Sequence, residues 1–288
     1  MHHAVRFGHE QAVRNFLAQG AGLESEDPFG KTPLMWAAQR DQLTMVKLLL
    51  ANGAKVSTLS SRGVTALDWA SQAGHVEIVK ALLETGANPN TPSRDLENPQ
   101  TPLKRAVRSG HQLVVETLLR YGARTDLPAE RGHGFLPPLI LAVVSGNLPI
   151  AEMLLAHGAD PNEVSAGQRS TSRVKITPLY AAIFTHQVEM TRLLLAHGAN
   201  PDQQQLEDPL YWAVMHKWVR DPFCQSIEGV TRVKFGDATA LAMARLFRNP
   251  YIVYLLAQYS KTTVPPEEMK APPNPMPEER FPYCQQVN

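Results

Sequence analysis

Six near-copies of one nine-residue phrase run through this chain: Val13 to Ala21 (VRNFLAQGA), Val46 to Ala54 (VKLLLANGA), Val79 to Ala87 (VKALLETGA), Val115 to Ala123 (VETLLRYGA), Ala151 to Ala159 (AEMLLAHGA) and Thr191 to Ala199 (TRLLLAHGA). Their starts lie 33, 33, 36, 36 and 40 residues apart. A period of this length marks a stacked repeat, because a unit so small cannot bury its apolar face alone and must bury it against the next copy. Length alone would suggest about one to three globular domains. The period overrides that expectation in favour of a single lengthwise array.

One copy shows why each unit is a pair of helices. In Gly30 to Leu59, Thr32 can accept from free backbone N–H groups at a helix start, and Pro33 suits the first helical position, where its missing N–H costs nothing. Leu34, Ala37 and Ala38 give the first helix a small-residue face that lets a neighbouring backbone approach. After a break at Asp41 and Gln42, the second helix carries Met45, Val46, Leu48, Leu49 and Leu50, apolar nearly all round as befits a helix between equivalents. Gly53 ends it, since glycine takes the left-handed conformation that a helix C-terminus commonly needs. The turns that follow read Asn88-Pro89-Asn90, Asp160-Pro161-Asn162 and Asn200-Pro201-Asp202 in other copies, which favour turns over continued helix.

The recurring elements identify a family. Thr-Pro-Leu or its variants stand at Thr32-Pro33-Leu34, Thr65-Ala66-Leu67, Thr101-Pro102-Leu103, Pro137-Pro138-Leu139, Thr177-Pro178-Leu179, Asp208-Pro209-Leu210 and Thr239-Ala240-Leu241. Gly8-His9, Gly74-His75 and Gly110-His111 stand at the turn between the two helices, and Leu-Leu-x-x-Gly-Ala, with Phe16-Leu17 in the first copy, closes the six phrases. Together these resemble the ankyrin repeat over about residues 1 to 260. The resemblance implies an all-α solenoid of stacked helix-turn-helix units with β-hairpin fingers. Units are expected near 1–26, 27–59, 60–95, 96–131, 132–171 and 172–203, a degenerate one at 204–236 and a C-terminal cap at 237–260. Residues 261–288 hold seven prolines and few large apolar residues, which predicts a disordered tail.

Departures from the pattern carry the individuality. Met1 stands where the leucine of Thr-Pro-Leu belongs, so either the first helix serves as a terminal cap or the reading frame opens upstream. The longer spacings place insertions at about Pro92 to Gln100, Leu127 to Leu136 and Glu163 to Ile176, in the fingers, where added residues cost little packing. The last of these holds the basic run Arg169, Arg173 and Lys175.

Composition narrows the function class. With 28 basic and 27 acidic residues the net charge is +1, which argues against a partner held by bulk electrostatics, nucleic acid included. Cys224 and Cys284 are 60 residues apart, without the clustering of a disulfide framework or zinc site. No stretch is apolar for long enough to be a secretory signal or membrane span. The expectation is an intracellular chain, cytoplasmic or nuclear, and monomeric. Most of the ten histidines fall at repeat positions, and phosphate-loop, esterase-elbow and zincin patterns are absent, so no enzyme activity, cofactor, metal or catalytic residue is expected.

The resemblance implies partner contacts from the finger tips and the exposed ends of the first helices on the concave side. Carried over, these positions are Arg6, Phe7, Phe29, Lys31, Gln39, Arg40, Arg62, Gln72 and Arg108, then Val144, Phe184 and Met215. The first group is basic with two aromatics and the second is apolar. The expected role is a noncatalytic scaffold or adaptor for a protein segment acidic at one end and apolar at the other. A regulatory inhibitor that masks its partner, or a piece of a larger protein with an effector domain elsewhere, are the alternatives.

Overall fold

The computed structural model describes residues 1–93, 100–126, 136–164, 176–203, 240–246, 249–261, 265–266 and 269–270. The described residues form fourteen α-helices and no strand. They divide into two compact units, Met1–Gly158 and Ala159–Asn288.

The first unit contains five helix pairs: α1 (His2–Arg6) with α2 (Glu10–Ala18), α3 (Pro33–Gln39) with α4 (Leu43–Ala51), α5 (Ala66–Ala73) with α6 (Val76–Glu84), α7 (Pro102–Ser109) with α8 (Gln112–Arg120), and α9 (Pro138–Val144) with α10 (Leu148–Ala156). First helices pack in the row α1, α3, α5, α7, α9, and second helices in the row α4, α6, α8, α10. The core lies between the rows. The opening residue of the repeated phrase is wholly buried at Val13, Val46, Val79 and Val115, as is the leucine three residues on at Leu49, Leu82 and Leu118. Leu48 and Leu50 are half-buried, so the second helix is less completely enclosed than its apolar sequence suggests. In the first helices Ala37, Ala38, Ala70, Ala106 and Ala142 are fully buried, the small residues that permit close stacking.

The helix starts follow the expected chemistry. Thr32, Thr65 and Thr101 each accept a hydrogen bond from the backbone N–H three residues on, and Thr65 forms a reciprocal box with Asp68. At Pro137 no side chain caps α9. Helix α1 is only five residues long and also lacks a side-chain cap at Met1, as its truncated motif predicts. The turn glycines Gly8, Gly74 and Gly110 take φ of 73°, 84° and 75°, and the closing glycines from Gly20 to Gly198 are left-handed as well.

The fingers are tighter than hairpins with a strand ladder. Asp27 N–H donates to the Lys31 carbonyl and Ser60 N–H to that of Val64, closing turns four residues wide. Ser93 N–H donates to the Gln100 carbonyl across seven residues. The three additional residues of the third finger therefore fall between Ser93 and Gln100, where the spacing placed them.

The second unit contains α11 (Pro178–Phe184), α12 (Val188–Ala196), α13 (Ala240–Leu246) and α14 (Pro250–Tyr259). Thr177 caps α11 and Asn249 caps α14. Helix α13 packs on α11 and α14 on α12. Leu179, Leu194, Leu241, Ile252 and Leu256 are buried. The expected degenerate unit at 204–236, the basic run at Arg169 to Lys175, both cysteines and most of the tail lie outside the described residues.

A side chain three residues beyond the closing alanine joins neighbouring repeats, and in the last copy holds the first residue of the tail. Glu24 Oε1 accepts from Lys55 N–H (2.8 Å), Asn90 Oδ1 from Arg124 N–H (2.8 Å), Asn162 Oδ1 from Asn200 N–H (2.7 Å), and Asp202 Oδ2 from Lys261 N–H (2.8 Å). The two asparagines also donate, to the carbonyls of Gly122 and Gly198. The residues that favour a turn in sequence thus also fasten one repeat to the next.

Candidate functional site

Trp36 and Trp69 are 33 residues apart, each four residues beyond its capping threonine. Equivalent positions on stacked helices fall in one row, so α3 and α5 bring the two indoles to a common neighbourhood. Lys31, from the first finger, joins them: its Nζ lies 4.3 Å from the Trp36 ring centre and 3.7 Å from that of Trp69. Arg6 Cζ at the end of α1 is 4.9 Å from the Trp36 ring centre, and Arg40 Cζ just beyond α3 is 5.9 Å away. Three cations therefore gather on one indole, each within cation–π range.

The first finger is aimed by Asp27. Its Oδ1 accepts from Phe29 N–H (2.9 Å) and Lys31 N–H (2.8 Å), and its Oδ2 from Trp36 Nε1–H (2.8 Å). One carboxylate thus closes the turn and ties it to α3. Partial burial works against the charged form, but the bonds from Lys31, Trp36 and Phe29 prevail and hold the Asp27 carboxyl below its ordinary value. Lys31 Nζ also donates to Gln39 Oε1 (2.8 Å). Partial desolvation, then the positive charges of Arg40, Arg6 and Arg62, hold the Lys31 ammonium below its ordinary value, with Asp27 opposing them. Arg6, Arg40 and Arg62 are exposed and enter no ion pair among the described residues.

The row continues onto α7, where Arg105 stands four residues beyond Thr101. Its Nε donates to Asp68 Oδ1 (3.1 Å) and its Nη1 to Gln72 Oε1 (3.1 Å). Asp68 is wholly buried and also accepts from Thr65 N–H (2.9 Å) and Thr65 Oγ1–H (2.8 Å). Burial pushes its carboxyl up, against the attraction of Arg105 and the Thr65 bonds.

Of the sequence-derived positions, Arg6, Lys31 and Arg40 lie over the Trp36 ring and Lys31 over Trp69 as well, Gln39 accepts from Lys31, and the charge of Arg62 acts on Lys31. Phe7 and Phe29 flank this centre with 56% and 70% exposure, and Arg6 lies over Phe7 as well, 5.7 Å from its ring centre. Gln72 and Arg108 extend the face along α5 and the end of α7. Val144 and Phe184 are half-buried at the ends of α9 and α11, and Met215 lies outside the described residues. Sequence reasoning missed Asp27, Trp36, Asp68, Trp69 and Arg105. The signal was present: Asp27, Ser60 and Ser93 share the 33-residue spacing, as do the two tryptophans.

Two histidines at the helix turns, His75 and His111, are structural. His75 Nε2 lies 3.2 Å from the Gln39 carbonyl and His111 Nε2 3.1 Å from the Gln72 carbonyl, each reaching back to the preceding first helix. Among the described residues, no group of three or more His, Cys, Asp or Glu could hold a metal, and no helix is long and apolar enough to cross a membrane.

No curated protein matches the chain. A family model for ankyrin repeats in three copies matches residues 1–93 and 90–165, and one for ankyrin repeats in many copies matches 139–195. Ankyrin repeats are in general modules of protein–protein interaction. Paired helices with threonine caps, left-handed turn glycines and closed fingers agree with both matches, and the chain belongs to the ankyrin repeat family.

Proposed function

We propose that the chain is a noncatalytic adaptor that captures an acidic segment of a protein partner on the face formed by α1, α3, α5, α7 and the first two fingers. The observation that carries this reading is the convergence of Arg6, Lys31 and Arg40 on Trp36, with Arg62 close enough to perturb Lys31. Clustering like charges costs energy in the free protein, and an acidic partner relieves that cost on binding. Phe7 and Phe29 offer apolar contact at the rim, and arginine and aromatic side chains are the types that dominate interface energetics. A face of this kind recognises charge locally, which reconciles it with a net charge of +1.

The experiment is affinity purification with the wild-type chain and with a variant carrying Arg40→Ala, Arg62→Ala and Arg108→Ala, followed by identification of the bound proteins. Wild type should retain proteins that the variant loses while the helical circular dichroism signal is unchanged. Equal capture by both would overturn the reading.

A further inference from the structure

The two tryptophans are equivalent in the repeat but differ in what their indole N–H groups find. Trp36 Nε1 donates to the Asp27 carboxylate. The residue equivalent to Asp27 in the next repeat is Ser60, whose Oγ accepts from Val64 N–H instead (3.0 Å), and Trp69 Nε1 is buried with no acceptor among the described residues. A buried donor without a partner is uncommon and costly. Beside it lies Lys31, which the Asp27 carboxylate attracts and the guanidinium groups of Arg40, Arg6 and Arg62 repel. Asp27 has both oxygens engaged. The repeat that holds Trp69 therefore lacks the anion that the preceding one supplies to Trp36.

We propose that the cations around Trp36 and Trp69 form an anion subsite that takes a phosphorylated side chain of the bound segment, with Trp69 Nε1–H among its donors. This rests on the reading that the face binds protein, and it names the group recognised. A phosphoryl dianion suits the place better than a carboxylate. Arg6, Lys31 and Arg40 converge on Trp36 with Arg62 near Lys31, and exposed guanidinium forks from Arg6, Arg40 and Arg62 can each bond two phosphoryl oxygens. Reaching Trp69 Nε1 requires Lys31, which overlies the same ring, to shift toward the incoming charge. Nucleic acid, the other phosphate source, fits less well. Its bases need bare aromatic faces, whereas Trp36 is 8% exposed and carries the chain's own cations.

The test uses the full chain and immobilised degenerate peptide libraries with identical acidic flanks and phosphoserine, serine or aspartate at a fixed centre. The phosphoserine library should be retained about tenfold better than either other, because phosphoserine brings a second negative charge and a third acceptor oxygen that aspartate lacks. Inorganic phosphate should compete where chloride of equal ionic strength does not. Arg40→Gln and Arg62→Gln, at exposed positions, should each lose the preference, and Arg192→Gln in the second unit should keep it. Equal retention of the aspartate and phosphoserine libraries overturns the phosphoryl assignment and leaves the acidic-segment reading standing. Displacement by single-stranded oligouridylate at lower concentration than by phosphoserine peptide overturns it in favour of nucleic acid. If no library is retained, the assignment fails alone when the wild-type chain still captures proteins that the triple variant loses, and both fail when it does not.

Discussion

At the scale of single residues, the backbone at the turns sets the sharpest requirements. Gly74 has φ of 84°, and a Cβ there would stand 2.7 Å from the His111 ring that reaches back to the Gln72 carbonyl. Gly74→Ala should therefore lower stability in urea unfolding by at least about 1–2 kcal/mol from the left-handed backbone alone. His111→Ala in the same chain should recover only the steric part of the loss. Asp41 and His186 occupy the same turn position with φ of 56° and 58°, a conformation that aspartate and histidine tolerate better than most side chains. Asp27 governs the first finger, and its effect has a definite pH sign. Its folded value lies below the ordinary 3.8, so its stabilising contribution is complete above that pH and is lost as pH falls through the folded value. The Trp36 indole N–H resonance should shift on acidification below pH 3.8 and stay put in Asp27→Asn; a wild-type resonance that does not move would refute the link.

At the scale of elements, helix starts and stops were legible because capping is local. A threonine followed by proline and leucine specifies its own helix, and a glycine at the far end stops it, whatever packs around them. The pairing of Asp68 with Arg105 was not legible, because it joins α5 to α7 across 37 residues. Asp68 is fully buried, so Arg105→Met should cost about 3–5 kcal/mol by leaving a carboxylate without its cation. Replacing both partners with apolar residues should restore much of that loss, and urea unfolding of the single and double variants distinguishes the outcomes. The asparagine links between repeats belong to the same scale. Asn90→Ala removes two hydrogen bonds to the following repeat and should cost about 1–3 kcal/mol at the usual net value per bond. An Asn90→Ala chain as stable as wild type would show that the closing turns need no such link.

At the scale of the whole molecule, charge distribution matters more than charge total. A net charge of +1 predicts little affinity for polyanions in general, while the face around Trp36 gathers four cations within one unit. Binding there should be strongly salt-dependent, since raising salt from about 0.15 M to about 1 M shortens the Debye length from about 8 Å to about 3 Å. Partner capture measured across that range should fall steeply. Capture that holds constant would assign the affinity to the apolar rim at Phe7 and Phe29 instead.

The sequence by itself determined the repeat, its helix pairs, the glycine turns and the fingers, because each rests on interactions spanning fewer than ten residues, copied at a period of 33 to 40. It also pointed to Arg6, Lys31, Gln39, Arg40 and Arg62 through their places in the family pattern. Only the tertiary structure decided that Arg6, Lys31 and Arg40 converge on Trp36 while Lys31 also reaches Trp69, that Asp27 is consumed in aiming the finger, and that Trp69 finds among the described residues no acceptor like that of Trp36. Those facts depend on which side chains successive repeats bring face to face. A period read along the chain gives the register of that stacking but not the contacts made across it.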